Sequence, residues 1–284
     1  MSIIFSPHRI VLAMLVVGSL APSRARAQHC HITPSAAPTA DHGEASTAPP
    51  RAWWAVVSTQ VTAGAGHVRD ASTDFMRTTR SYQGAAVSLA IGWRRLAARA
   101  AIGGHRVDGH GTGVDDARVG ASVTLTPARM AIAAGISTTI AFPTGDADAG
   151  RGMGHTMIAG GAWLRAARGR ASIEAAAAYA RALGDGAAHA AHLHGSDLWP
   201  LIDPMNAEEV LGDVTAAVAV VPSRLAVRAG VQAGVPIERG TTRAAAALGA
   251  RLERGTVAIT ATAAVPLAGD PFVARGQLEV AVRY

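Results

Sequence analysis

The feature that most constrains the fold is a two-residue alternation between apolar and polar side chains, which recurs from Trp53 to the end of the sequence. In the segment 256–266, one set of alternate residues is apolar: Val257, Ile259, Ala261, Ala263 and Val265. The segment 276–284 repeats the pattern, and its polar set is Gln277, Glu279 and Arg283. Successive side chains of a β-strand point to opposite faces of the sheet. The alternation therefore predicts strands that each have one apolar and one polar face.

Twelve segments carry this pattern, and Gly, Pro, Asp or Arg-Gly sequences separate them. We predict strands at 53–66, 83–93, 95–106, 116–126, 128–142, 154–166, 170–183, 210–221, 224–236, 242–253, 256–266 and 273–284. The connections after the even-numbered strands are tight, whereas several of the others are longer, notably 67–82, 107–115, 143–153 and 184–209. Tight turns at one end and long loops at the other are typical of outer-membrane barrels. The predicted fold class is all-β, a transmembrane antiparallel up-and-down β-barrel of about 12 strands.

The composition favours a barrel over a water-soluble core. Hydrophobic residues make up 49% of the chain but aromatic residues only 4%, and an interior built from Ala and Gly buries little apolar area per residue. Two alternatives stay open. The alanine-rich segment 170–183 could form a helix if taken alone, and a soluble β-sandwich would also show alternation. Neither explains the asymmetric loops, whereas a closed barrel satisfies every backbone hydrogen bond of strands in lipid.

The chain divides into three regions. Residues 1–27 are predicted to be a secretory signal peptide, because an apolar run from Ile10 to Ala21 precedes an Ala-Arg-Ala cleavage sequence. Residues 28–52 lack periodicity and are predicted to be a disordered periplasmic lead-in, and 53–284 form the barrel. Signal cleavage would lower the formal charge from +6 to +3, which together with scattered arginines argues against nucleic-acid binding. The predicted location is the cell outer membrane.

One stretch carries a family resemblance. The sequence "ISTTIAFPTGDADAGRGMGHTMIAGGAWLRAARGRASIEAAAAYARALGDG" (136–186) contains Pro143, Thr144, Gly145 and Asp146, followed by a glycine-rich loop. It resembles outer-membrane proteins of the meta-pathway phenol-degradation type, which are described as transporters. The resemblance implies a 12-stranded barrel that takes up small, often hydrophobic compounds. The sequence departs from the family's Gly-Ser-Asp after the glycines, and Pro143–Asp146 is also a good turn on physical grounds.

The polar face of the strands supplies the predicted lumen residues: Arg99, Glu174, Arg181, Arg228, Arg243, Arg251, Arg275, Glu279 and Arg283. One interpretation is a lining that selects anions, and the other is an ion-paired interior that fills the barrel. Aromatic residues near strand ends, among them Trp93, Trp163 and Tyr179, are predicted to lie at the membrane interfaces. The terminal Tyr284 resembles the assembly signal that the barrel assembly machinery recognises.

Histidines concentrate outside the strands and suggest a metal site. His189, His192 and His194 lie within six residues of one another, and His29, Cys30 and His31 would stand next to the amino terminus left by signal cleavage. Imidazole and thiolate groups are suitable ligands for copper or zinc. The spacing matches no established zinc pattern, so the alternative is that these histidines serve as polar loop residues.

The sequence contains no nucleophile motif, zinc-hydrolase motif or phosphate-binding loop, and we predict that the protein is not an enzyme. Three functions remain. The first is a channel for passive passage of small molecules, hydrophobic or aromatic ones among them. The second is a copper- or zinc-binding barrel, and the third is a closed structural barrel. The predicted partners are the lipid bilayer, the assembly machinery and the small-molecule cargo.

Overall fold

The computed structural model describes residues 56–69, 79–93, 95–108, 111–126, 131–145, 155–183, 208–237, 242–269 and 274–283. These ranges contain thirteen strands: β1 (Val56–Arg69), β2 (Thr79–Trp93), β3 (Leu96–Val107), β4 (Gly111–Val114), β5 (Ala117–Thr124), β6 (Ile132–Phe142), β7 (Thr156–Arg168), β8 (Ala171–Leu183), β9 (Glu208–Val221), β10 (Leu225–Pro236), β11 (Arg243–Arg254), β12 (Val257–Ala268) and β13 (Ala274–Arg283). Within the same ranges, no helix is long and apolar enough to cross a bilayer.

The strands form one closed antiparallel ring. Neighbours in sequence pair with each other from β5 to β13, β3 pairs with β2, and β1 pairs with both β2 and β13. The pairing of β1 with β13 runs from Ser58↔Arg283 to His67↔Ala274. β4 and β5 both pair with β3, at 104–107 and 96–101 respectively, so they share one place in the ring. The predicted twelve-stranded up-and-down barrel is confirmed.

The strand that is divided into β4 and β5 is the largest difference from the predicted elements. The segment 107–115 was expected to be a loop, but Gly111–Val114 pairs with the end of β3. Asp115 and Asp116 interrupt the strand between the two parts, and one extra residue on one strand is the hallmark of a β-bulge. This short stretch of Gly, Thr and Val contains too few alternating residues to signal a strand. The other strand bounds agree with the prediction to within a few residues.

The outward face is apolar and the inward face is small and polar. On β2, Val87, Leu89 and Ile91 are exposed while Ala86 and Ser88 are buried, as strand geometry requires. The exposed set continues around the ring on β3, β6, β7, β9, β10, β11 and β12 with Ile, Leu and Val. A belt of exposed aliphatic side chains around a closed ring is stable in lipid and unfavourable in water.

The two ends of the ring differ, as the sequence predicts. At one end the connections are tight, and they use left-handed backbone conformations at Gly169 (φ 62°), Ser223 (φ 53°) and Gly255 (φ 61°). At the other end the chain between consecutive strands is longer, from 143 to 155 and from 184 to 207. Short connections mark the periplasmic end of a barrel of this type. We call the two ends the tight-turn rim and the long-loop rim.

Candidate functional site

The lumen is the candidate functional site because it collects the ionisable side chains of the strands. Among the described side chains, arginines and carboxylates face inward in similar numbers: Arg99, Arg118, Arg165, Arg228, Arg243, Arg251 and Arg275, and Asp115, Glu174, Glu209, Asp213, Glu253 and Glu279. Two-residue alternation places them there, since their neighbours in each strand are the exposed residues of the outer belt. The lining is therefore mixed in charge rather than cationic.

Near the long-loop rim, a buried ion pair on the inner face of the wall connects two strands that are not neighbours. Arg243 Nη2 donates to Glu209 Oε1 and Oε2 at 2.9 and 3.0 Å. These side chains belong to β11 and β9, and β10 lies between them. Gly234 occupies the intervening position on β10, where a Cβ atom would collide with the Glu209 carboxylate. The absence of a side chain at Gly234 is what allows the pair to bridge two strands that are not adjacent.

An apolar cluster lies at the same level of the lumen and begins on β9, the strand that carries Glu209. Its members come from the long-loop ends of β6, β7, β8 and β9: Ala141, Met157, Ala159, Ala180 and Leu211, with Ala182 packed against them. Met157 is almost completely buried. These side chains pack against one another and leave almost no surface open to a solute in the lumen. The long-loop half of the lumen thus contains an apolar cluster as well as buried ionic groups.

The bulge between β4 and β5 is held by contacts with the motif residues. Thr144 Oγ1 accepts a hydrogen bond from the Ala117 amide at 2.7 Å and donates one to the Asp115 carbonyl at 3.3 Å. The Gly145 amide donates to Asp116 Oδ1 at 2.9 Å. These hydrogen bonds anchor the loop after β6 to the bulge, which is the role of a structural turn.

The Asp115 side chain belongs to a second contact of the bulge. It faces the lumen, where its Oδ1 atom lies 2.6 Å from His105 Nδ1. Both side chains are buried. The pair therefore ties the inner wall at the end of β3 to the bulge.

Towards the tight-turn rim the inward side chains are less buried, and the charged ones bond to polar or charged neighbours along the wall. Arg99 donates to Ser88 Oγ at 3.0 Å, and Arg165 Nε lies 3.2 Å from Glu174 Oε1 on the adjacent strand. Arg251 donates to Glu253 Oε1 at 2.6 Å. Paired charges of this kind fix side-chain positions and leave a polar surface exposed to water in the lumen.

A shallow depression in this polar part of the wall has a cavity volume of about 10 Å³, which is room for about one water molecule. Small residues form its floor and polar side chains surround it: Thr215, Arg228, Gly230, Gln232, Ala247, Gly249 and Thr262. A Cβ atom at Gly249 would contact the Thr262 hydroxyl and the Arg228 side chain, so these polar groups lean over the floor. Hydroxyl, amide and guanidinium groups here could bind a polar part of a small molecule.

The structure places two predicted residues differently from the expectation. Arg181 was predicted to line the lumen, but it pairs in register with the outward Ile158, is 59% exposed and lies 3.3 Å from Glu208. The outward face of β8 is aliphatic along most of the strand and carries Arg181 near the long-loop end, where the belt gives way to the rim. Trp163 was expected at an interface, but it faces inward and lies against Gly135 in the middle of β7. Trp93 and Tyr179 lie on the outer surface.

Other predicted site residues lie outside the described residues: His29, Cys30, His31, His189, His192, His194, Asp146 and Tyr284. The same holds for the predicted signal peptide and lead-in at 1–52. Arg283 is described as the partner of Ser58 in the backbone pairing of β13 with β1. Across the described ranges, no group of three or more His, Cys, Asp or Glu side chains is arranged to hold a metal ion.

Sequence reasoning missed several inward residues. Arg118, Arg165 and Asp213 occupy the polar phase of their strands, so a stricter reading of the alternation would have found them. Glu209 is the second residue of β9, which begins two residues earlier than predicted. His105 is at the end of β3, and no pattern in the sequence indicates its Asp115 partner.

Comparison with known proteins shows the fold. No family model and no curated protein matches the chain. An outer membrane channel from Pseudomonas putida F1 is similar over 83% of this chain and 99% of that chain, with a TM-score of 0.60 and 12% identity. The translocator domain of the autotransporter NalP from Neisseria meningitidis covers 81% and 88%, with a TM-score of 0.44 and 15% identity. This chain has the fold of an outer-membrane β-barrel, and its apolar outer belt agrees with that location.

Proposed function

We propose that the protein is a passive channel that lets small molecules cross the outer membrane. The observation that supports this proposal most directly is a closed ring with an aliphatic outer face and a polar, charge-paired inner face. A barrel with this distribution of side chains is stable in lipid and presents groups that replace water around a polar solute. The similarity in fold to an outer membrane channel is compatible with this role.

We further propose that the cargo includes small hydrophobic or aromatic molecules with a polar group. The resemblance to the meta-pathway phenol-degradation type implies such compounds. In support, the long-loop end of the lumen contains the buried apolar side chains of Met157 and Leu211, and the depression beside Arg228 and Gln232 offers polar groups further along. An aromatic ring that enters this packing contacts apolar side chains while its polar substituent is hydrogen-bonded to the wall.

Conductance and solute flux test the channel directly. Full-length protein in a planar bilayer should give discrete conductance steps in KCl. In proteoliposomes, osmotic swelling with phenylalanine should be faster than with glutamine, because both are zwitterions but only phenylalanine carries a ring. Leu211→Asn should remove that difference, whereas the outward substitution Leu248→Asn should not. Conductance together with equal swelling rates would support the channel proposal and contradict the proposal of an aromatic cargo.

The second candidate is a closed structural barrel, and the burial of the long-loop half of the lumen favours it. Of the described residues, Arg243, Met157 and Glu209 are the largest with almost no side-chain exposure. If they block the lumen, wild-type protein gives no conductance, and the double substitution Arg243→Ala with Glu209→Ala opens a path. Silence of the wild type together with conductance of this variant would replace the channel proposal with the closed barrel.

Metal binding by the loop and lead-in residues remains a prediction from the sequence alone. Calorimetry with Cu(I), Cu(II) and Zn(II) should show binding to the wild type and loss of one site when three histidines are replaced by Ala: His189, His192 and His194. Loss of a second site on replacing His29, Cys30 and His31 would show that the lead-in also binds metal. Heats that do not exceed the buffer background would rule out both sites.

A further inference from the structure

The tight-turn rim carries a ring of arginines that the channel function does not use. We call Arg95, Arg168, Arg170, Arg224 and Arg254 the arginine collar. They lie in or beside the connections β2–β3, β7–β8, β9–β10 and β11–β12, and all five are exposed. Each of these four connections therefore contributes at least one guanidinium group. The collar is a positive surface that follows the circumference of the barrel.

No carboxylate of the described ranges neutralises the collar through an ion pair. The two carboxylates within four residues of these turns, Glu253 and Glu174, face the lumen and are bound by Arg251 and Arg165 at 2.6 and 3.2 Å. The collar side chains make few contacts with the rest of the protein, such as a long hydrogen bond of 3.5 Å from Arg95 to the Leu125 carbonyl.

The long-loop rim provides a comparison because its outer surface has both signs of charge. Arg106 and Arg181 are exposed there, together with Glu208 and the exposed Asp108. Arg181 and Glu208 form an ion pair at 3.3 Å. Among the described side chains, the excess of positive charge is therefore found at the tight-turn rim and not at the long-loop rim.

The apolar belt fixes the depth of the collar relative to lipid. Exposed apolar side chains continue to the last residues before and after these turns: Trp93 is 46% exposed, Leu96 49% and Leu252 50%. Trp93 on the outer face is typical of the boundary between hydrocarbon and headgroups. At these strands the apolar belt continues directly into the turns. The guanidinium groups next to the turns therefore lie at the level of the lipid phosphates.

We propose that the arginine collar binds the phosphate groups of anionic phospholipids in the leaflet that faces the periplasm. A guanidinium group binds phosphate oxygens through two parallel hydrogen bonds, and it retains its charge at every physiological pH. Each arginine close to an anionic lipid surface strengthens binding about fivefold. The collar thus fixes the vertical position of the barrel and attracts anionic lipids to its periplasmic edge, independently of what passes through the lumen.

Native mass spectrometry of delipidated full-length protein in detergent tests this proposal. The protein is titrated separately with dioleoylphosphatidylglycerol and dioleoylphosphatidylcholine, and we expect the wild type to bind the anionic lipid at least about fivefold more tightly. The variant in which all five collar arginines are replaced by Gln should bind both lipids equally. Replacement of the five by Lys should keep most of the preference, because the positive charge remains. Gel-shift measurements verify that each variant is folded.

The matched control is Arg106→Gln with Arg181→Gln on the opposite rim, which should retain the preference for phosphatidylglycerol. If the collar variant does not fold, Arg168→Gln with Arg170→Gln should still lower the preference measurably. Equal binding of the two lipids to the wild type would overturn the proposal, as would an equal loss in the control. Displacement of phosphatidylglycerol by millimolar inorganic phosphate would identify a free-phosphate site and contradict the lipid assignment.

Discussion

The ion pair between Glu209 and Arg243 supports the packing of the lumen, and Glu209→Gln is the substitution that tests it. Gln has nearly the same shape as Glu and accepts a hydrogen bond, but it removes the negative charge. The Arg243 guanidinium then remains without the carboxylate to which it now donates at 2.9 and 3.0 Å. Because the two side chains are 2% and 0% exposed, water does not compensate for the loss. We expect the substitution to lower the free energy of unfolding by about 3–5 kcal/mol.

A second ion pair in the same lumen provides the control. Arg251 and Glu253 are 2.6 Å apart but their side chains are 16% and 30% exposed. Water can therefore solvate the arginine that remains after Glu253→Gln, and the expected loss is about 0–1 kcal/mol. The comparison separates the effect of burial from that of charge removal, since the two substitutions are chemically identical.

Urea unfolding in phospholipid vesicles, followed by tryptophan fluorescence and by gel shift, measures both losses. The double substitution Glu209→Gln with Arg243→Met should recover most of the stability, because it removes the buried charge that the single substitution leaves behind. A single-variant loss below about 1 kcal/mol would refute the reasoning, since it would mean that water reaches the pair. A double variant that is no more stable than the single would also refute it.

Further predictions concern close contacts in the wall and the width of the lumen. Gly234→Ala should destabilise the barrel by about 1–3 kcal/mol in the same urea assay, because its Cβ would meet Glu209, whereas Gly212→Ala has no atom nearer than 3.8 Å and should have little effect. Equal effects of the two would show that the pair does not require the gap at Gly234. Trp163→Ala should raise single-channel conductance because the indole occupies the lumen against Gly135, whereas Trp93→Ala on the outer surface should leave conductance unchanged. A conductance unaffected by Trp163→Ala would place the narrowest point elsewhere.

The sequence predicts most of the fold because each face of every strand has a different solvent. Lipid outside and water or polar groups inside impose the same two-residue period on β10, β11 and β12, and this period is visible without any tertiary information. The alternation gives no signal where a strand is irregular. Asp115 and Asp116 introduce a bulge, and its partners in the Thr144 loop are distant in sequence, so no local pattern reports it.

The candidate site could be predicted only in part. Alternation correctly indicates that Arg99, Arg228 and Arg251 share a face, but it does not indicate depth along the barrel or the partner of each charge. The contact between Glu209 and Arg243 depends on the register of three strands and on the space above Gly234. Arg181 was misplaced for a different reason: it shares the outward phase of Ile173 and Tyr179 in β8, so the alternation itself places it on the outer face.

The pairing of β1 with β13 has a consequence for how the barrel is made. These strands lie at opposite ends of the described chain, and their ladder is the last that can form when the chain is synthesised in order. Until then β1 and β13 each present a row of unpaired backbone donors and acceptors, which is a template for pairing with other chains. Closing so long a loop is entropically costly and slow. Ring closure therefore removes both exposed edges in one step, and with them the sites at which another chain could pair with the barrel.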